Sequence, residues 1–123
     1  MNRTILFRAK QKSDGQWFHG NLMCYGKQKC ISVTKVIPWQ AYFIDDDTIG
    51  QYTGVKDING KMVFEGDVVF LYADTESRFI VQWSEEWLCF LGHSDNETVT
   101  INKHTLIEVI GNIYDNPELI ENK

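Results

Sequence analysis

Short apolar runs separated by turn-forming residues make up most of this 123-residue chain. Within many runs apolar and polar positions alternate, which is typical of strands with one buried face. The pattern predicts strands over residues 5–10, 17–25, 30–36, 49–55, 61–64, 68–72, 78–83, 87–91, 99–101 and 106–114. Near the end, Asn116 followed by Pro117 predicts a single helical turn over 117–120, with Asn116 as its N-cap.

Turn residues set the predicted connections. Asp14-Gly15 and Asn59-Gly60 are strong hairpin signals, because these pairs tolerate positive φ. Further turns are predicted at 26–29, 74–77, 84–86 and 94–96. Segment 38–47 has aromatic residues without a strict period, so a helical turn and an extended connector both stay open for it.

Sequential short hairpins predict a mostly β fold and favour a small antiparallel barrel, because closure removes exposed strand edges. We expect one domain over residues 1–123. Residues 49–123 would form an SH3-like barrel portion with a short C-terminal helical turn, and residues 1–48 would add N-terminal strands and a connector. A chain of this length that is 43% hydrophobic can bury a core without disulfides.

Cellular location is predicted from the start of the chain and its cysteines. The first twelve residues lack the long apolar stretch of a signal peptide, and no run approaches the roughly 20 apolar residues of a membrane span. The three cysteines form no C-x-x-C pair. We therefore expect a cytoplasmic protein with reduced thiols and no membrane partner.

Three motifs occur in order along the chain. The first is ILFRA followed by G-x-W and GNL, the second runs from IGQYTGVKD through NGK to FEGDVV, and the third is EVIGNIYDNPEL. Together they resemble the YopX family of phage and prophage proteins. The resemblance implies a phage or prophage origin and a compact β-rich fold, and it implies no particular activity.

Catalytic candidates are few. A nucleophile with an adjacent base would have to come from Cys24, Cys30 or Cys89 together with His19, His93 or His104. No G-x-S-x-G frame is present, although Lys29 beside Cys30 favours its thiolate slightly. An enzyme with a site assembled around a histidine therefore stays an alternative.

Metal and cofactor signals are weak. Asp45-Asp46-Asp47, with Glu65 or Asp67, offers hard oxygen ligands, but the spacing is not that of an EF-hand. Glu85-Glu86 fits a hairpin turn better than a pair of hydrolytic carboxylates. With no phosphate-binding loop in the sequence, we expect neither a metal nor a cofactor.

Charge is distributed unevenly. Residues 1–38 carry seven basic residues and one acidic residue (net +6), whereas residues 39–123 carry five basic and 16 acidic residues (net −11). The candidate binding residues are the early basic residues and a tryptophan among them: Arg8, Lys10, Lys12, Trp17, Lys27 and Lys29. They allow three interpretations: lysines that only face water, attraction between copies, or a basic aromatic face for single-stranded nucleic acid.

The function predicted from these features is a non-enzymatic binding or assembly module that forms homo-oligomers. A protein partner is compatible with the same surface. Nucleic acid is not favoured, because the whole chain has a net charge of −5.

Overall fold

The computed structural model describes residues 4–33, 41–72, 74–95 and 97–121. In this part the chain is mostly β. It forms the strands β1 (Phe7–Lys10), β2 (Trp17–Tyr25), β3 (Gln28–Ser32), β4 (Ala41–Phe43), β5 (Gly50–Lys56), β6 (Met62–Phe64), β7 (Asp67–Leu71), β8 (Asp74–Ser84), β9 (Cys89–His93), β10 (Thr98–Thr100) and β11 (Ile107–Asn112), with a 3-10 turn at Asp46–Thr48 and a one-turn helix α1 (Glu118–Glu121).

The chain divides into two compact units, Met1–Tyr52 and Thr53–Lys123. The strand order is β4-β3-β2-β1-β5-β6 in one sheet and β10-β9-β8-β7-β11 in the other. Strand β5 crosses the division. The sequence placed the start of a barrel-like portion at residue 49, whereas the units divide after Tyr52.

The core of the first unit follows from strand alternation. Phe7 and Ala9 point to one side of β1, and Ala9 is fully buried with Ile31 and Ile44. An isolated antiparallel bridge joins Gln11 to Ile44, which brings the chain after β4 to the end of β1. Arg8 and Lys10 consequently project from the opposite side of β1.

The core of the second unit is built from six buried aliphatic and aromatic residues, five on the strands β6, β7, β8 and β11 and one directly after β10: Val63, Val69, Phe79, Val81, Ile107 and Ile101. On β8 the alternation predicted for Phe79, Val81 and Trp83 is present, but only the first two are buried. Trp83 lies beyond the end of the core and is 46% exposed.

Two buried aspartates hold turns of the second unit. The Asp57 carboxylate accepts hydrogen bonds from the backbone N–H of Asn59 (2.9 Å), Lys61 (2.9 Å) and Val109 (3.0 Å). Asp67 accepts one from Phe64 N–H at 2.8 Å. Burial alone would raise the pKa of Asp57, but the bonds from Val109, Lys61 and Asn59 and the Lys61 charge outweigh it and lower the pKa.

Closure into an SH3-like barrel is not confirmed. Both sheets are antiparallel, but the second has β10 and β11 as separate edges within the described residues. The mostly β class and the single short helix are confirmed.

Several predicted boundaries were wrong. The turn predicted at 74–77 is instead the start of β8, and the strand predicted over 87–91 begins only at Cys89. Within segment 38–47, for which the sequence allowed a helical turn or an extended connector, the chain forms β4 and then the 3-10 turn. Residues 34–36 of the predicted third strand, residues 38–40 and the turn residue Asn96 lie outside the described residues.

Candidate functional site

The predicted basic residues of the first unit fall into two groups, and the first group surrounds Trp17. Lys10 lies directly opposite Trp17 in the β1–β2 ladder. The Lys10 Nζ atom is 5.5 Å from the centroid of the Trp17 ring, and the Arg8 Cζ atom is 4.8 Å from it. Arg8 is only 8% exposed. The ring is thus already in contact with two cations of its own chain, an attractive arrangement that holds Arg8 in place.

The second group, Lys12, Lys27 and Lys29, is exposed and lines one continuous depression. We define the lysine groove by its lining residues: Gln11, Lys12, Ser13, Lys27, Gln28, Lys29, Phe43, Ile44 and Asp45–Asp47. Its two ends have volumes of about 240 Å³, on the side of the aspartates, and about 300 Å³, on the side of Gln11 and Ser13. Both ends share Lys12, Gln28 and Phe43.

Exposed aromatic side chains border this groove. Tyr25 is 74% exposed and Phe43 is 47% exposed. Their rings meet edge to face with centroids 6.5 Å apart. The pairings Tyr25–Gln28 and Cys30–Phe43 put both rings on the same side of the sheet. The groove therefore combines ammonium groups with apolar surface.

The loop between β8 and β9 forms the other unusual surface, in the second unit. Ser84 and Cys89 are the last paired residues, and we define the hairpin tip as residues 85–88. The N–H of Leu88 donates to the Ser84 carbonyl oxygen (2.8 Å) and the N–H of Trp87 donates to Ser84 Oγ (3.1 Å). This closes the loop and forces Leu88 into the left-handed region, with φ 55°.

The hairpin tip is apolar, acidic and strained. Trp87 is 69% exposed and Leu88 is 73% exposed, next to the exposed carboxylates of Glu85 and Glu86. A left-handed conformation costs a residue with a Cβ about 1–2 kcal/mol, and glycine or asparagine usually occupies such positions. The chain thus keeps a large apolar residue in water at a position that disfavours it, which points to a binding role.

Cysteine and histidine positions give little support to nucleophilic catalysis. Burial raises the pKa of the Cys30 thiol, and the nearby Cys24 adds to the rise. The slight preference for a thiolate that the sequence suggested for Cys30 is therefore wrong. Cys89 and His93 lie four residues apart on β9, about 13 Å along the strand, too far for proton transfer.

The other histidines lie in different settings. His19 is on β2, four residues before Met23, the residue that pairs with Cys30 on β3. Four strand residues span about 13 Å, so His19 lies far along the sheet from Cys30. His104 is exposed in a bend, where its N–H donates to Asn102 Oδ1. His93 borders an open depression of about 580 Å³ together with Arg78 and Glu97.

Metal-ligating residues do not converge in the part of the chain that the structure describes: no group of three or more His, Cys, Asp or Glu side chains could hold an ion. Asp45 is exposed and its side chain accepts from Asp47 N–H, which caps the 3-10 turn. The Asp45 side chain therefore has a structural role in the turn, which explains its place in the run of three aspartates.

Comparison with known proteins shows the family. The YopX protein family model matches residues 6–121, nearly the whole chain. The chain belongs to the YopX family. Among solved structures it is similar to the crystal structure of protein EF1440 from Enterococcus faecalis, with 20% identity, a TM-score of 0.61, and coverage of 97% of this chain and 99% of that one. At this identity the similarity shows a shared fold.

No curated protein matches the chain. Among the described residues of this YopX-family protein, no helix has the length and apolar character needed to span a bilayer.

Sequence reasoning placed a turn at 84–86 but missed that the hairpin tip extends over Trp87 and Leu88, because these apolar residues were assigned to the following strand. The available signal was the run Ser84-Glu85-Glu86-Trp87-Leu88, a turn region without glycine or asparagine. A hairpin loop that needs one residue at positive φ, as this one does at Leu88, places a side chain under strain when it has no glycine or asparagine.

Proposed function

We propose that this YopX-family protein is a non-enzymatic binding and assembly module of phage or prophage origin, which acts in the host cytoplasm by forming homo-oligomers. The observation that carries the proposal is the hairpin tip, where Trp87 and Leu88 are exposed by 69% and 73%. Tryptophan side chains are the commonest anchors of protein–protein contacts, because they bury a large area at low cost in conformational entropy.

Strain at Leu88 adds a second argument. A loop selected only for folding would place glycine or asparagine at φ 55°, because either residue lowers the backbone energy. Leu88 lowers the stability of the fold and exposes apolar surface. Residues that lower stability in this way are often ones that contact another molecule.

The first prediction concerns association. We expect wild-type protein to form oligomers in light scattering as concentration rises, and Leu88→Gly to weaken this association by at least about tenfold in Kd, the effect of losing roughly 1.4 kcal/mol of contact. The same variant should unfold at a higher temperature than wild type, because glycine relieves the left-handed strain.

Tyr72→Ser is the matched control, since Tyr72 is also exposed (61%) but lies outside the hairpin tip. We expect it to associate like wild type. A protein that stays strictly monomeric at high concentration, in both low and high salt, would rule out the assembly function.

Binding of single-stranded nucleic acid is a second candidate. It is supported by three exposed lysines, Lys12, Lys27 and Lys29, along one groove bordered by exposed aromatic rings. The contacts of Arg8 and Lys10 with Trp17 weigh against it, because they occupy a ring that a base would stack on.

Fluorescence titration with oligonucleotides tests this candidate. If it is correct, tryptophan emission changes on binding, affinity falls steeply as salt rises, and Lys12→Ala lowers the salt dependence by roughly one counterion. Lys103→Ala, a change at an exposed lysine of the other unit, serves as the control. A titration without any change in emission at low salt would eliminate nucleic-acid binding.

A further inference from the structure

We propose that the copies associate head to tail: the hairpin tip of one copy inserts into the lysine groove of a second copy. The inference rests on the proposed assembly function and names the two surfaces that meet. It depends on the charged and the apolar side chains that the hairpin tip and the lysine groove expose.

Charge complementarity supports the pairing. The hairpin tip carries Glu85 and Glu86, both exposed. The lysine groove presents three exposed lysines: Lys12 lines both of its ends, and Lys27 and Lys29 line the end of about 240 Å³. Opposite charges at a contact steer the encounter and fix its orientation. The −11 and +6 portions of the sequence thus have specific surfaces through which they can attract each other.

The two ends of the groove differ in charge, and one of them suits an acidic loop better than the other. Asp45–Asp47 lie at the end of about 240 Å³, where they would repel Glu85 and Glu86. The end of about 300 Å³ is lined by Gln11, Lys12, Ser13, Gln28 and Phe43. Among its described lining residues Lys12 is the one charged side chain, and there is no carboxylate. We therefore place the docked hairpin tip at this second end.

Apolar surface matches as well. The exposed rings of Tyr25 and Phe43 border the groove, and Trp87 and Leu88 are the exposed apolar residues of the tip. Contact between them would remove apolar area of both copies from water, and aromatic pairs gain further from edge-to-face geometry. The polar ends of Gln28 and Ser13 are available at the rim to bond with the loop.

Symmetric pairing of two hairpin tips is the competing arrangement. It would bring Glu85 and Glu86 of both copies together, and four carboxylates at one contact repel strongly. Head-to-tail contact avoids this repulsion. Such a heterologous interface leaves a free tip at one end of the assembly and a free groove at the other, so the copies either close into a ring or continue as a growing chain.

A charge-swap experiment tests the contact, with Lys12→Glu and Glu86→Lys as two single variants. Each alone places like charges at the interface, and we expect each to weaken self-association by about tenfold or more. An equimolar mixture should regain association, because the lysine tip of one variant fits the glutamate groove of the other and the remaining tip and groove are wild type. The double variant in one chain should recover as well.

Lys103→Glu and Glu118→Lys make the same changes in charge at exposed positions outside both surfaces, and they should associate like wild type. Circular dichroism of each variant checks that it is folded. As a second measurement, amide signals of Gln28, Phe43, Trp87 and Leu88 in wild-type protein should shift together on dilution.

The outcomes separate this inference from the proposed function. If wild type never associates, both fail. If wild type associates but the single variants associate equally well, or if they dissociate and the mixture does not recover, the tip–groove contact is overturned and assembly through another surface stands. Dilution shifts confined to the hairpin tip would likewise overturn it.

Discussion

Asp57→Ala is expected to lower the free energy of unfolding by about 3 kcal/mol. The carboxylate accepts backbone hydrogen bonds from Asn59, Lys61 and Val109, and so joins the turn after β5 to strand β11. Alanine would remove three charge-assisted, partly buried bonds, and the loss of each costs about 1 kcal/mol where water can replace the carboxylate in part. Urea unfolding followed by fluorescence measures the difference. Asp46→Ala, at an exposed carboxylate, should change stability by less than about 0.5 kcal/mol.

The same carboxylate should make stability depend on pH. The pKa of Asp57 is lower in the folded chain than the ordinary value of 3.8, so the unfolded chain binds the proton more tightly. Its contribution is fully present above pH 3.8 and is lost as pH falls through the folded pKa. Asp57→Asn should abolish this part of the acid dependence. If both proteins lose stability in parallel below pH 4, the role assigned to the carboxylate is wrong.

Gly20→Ala is expected to destabilise the first unit by about 3 kcal/mol or more. A Cβ atom at this position of β2 would lie 2.8 Å from the carbonyl carbon of Ser32 and still closer to its carbonyl oxygen. Backbone atoms of a paired strand cannot move aside as a flexible side chain can, so overpacking here falls at the high end of its usual range. Differential scanning calorimetry should show a lower melting temperature or an unfolded N-terminal unit.

Gly15→Ala separates crowding from backbone conformation. Gly15 has φ 72°, and apart from its chain neighbours no described residue has an atom within 4 Å of an added Cβ, so alanine there should cost only about 1 kcal/mol. A loss at Gly20 no larger than the loss at Gly15 would mean that small shifts of the backbone relieve the crowding by Ser32.

Local features of the sequence accounted for much of the fold. The extent of β2 was predicted without error, because Trp17 to Tyr25 lies between the turn signals Asp14-Gly15 and Gly26. The Asn59-Gly60 turn was also predicted, since such pairs encode a hairpin through backbone conformation alone. Where turn-type polar residues lie inside a strand, as Asp74 and Ser77 do at the start of β8, the boundary was misplaced.

The sequence by itself determined the mostly β class, the family and the surplus of positive charge in the first 38 residues. Only the tertiary structure decided that Arg8 is buried beside Trp17 while Lys12, Lys27 and Lys29 line a groove, because strand pairing sets which distant residues share a face. It alone showed Leu88 strained and exposed. That outcome depends on the hydrogen bonds that Ser84 accepts from the N–H groups of Trp87 and Leu88, which close the loop and override the strand propensity of Trp87.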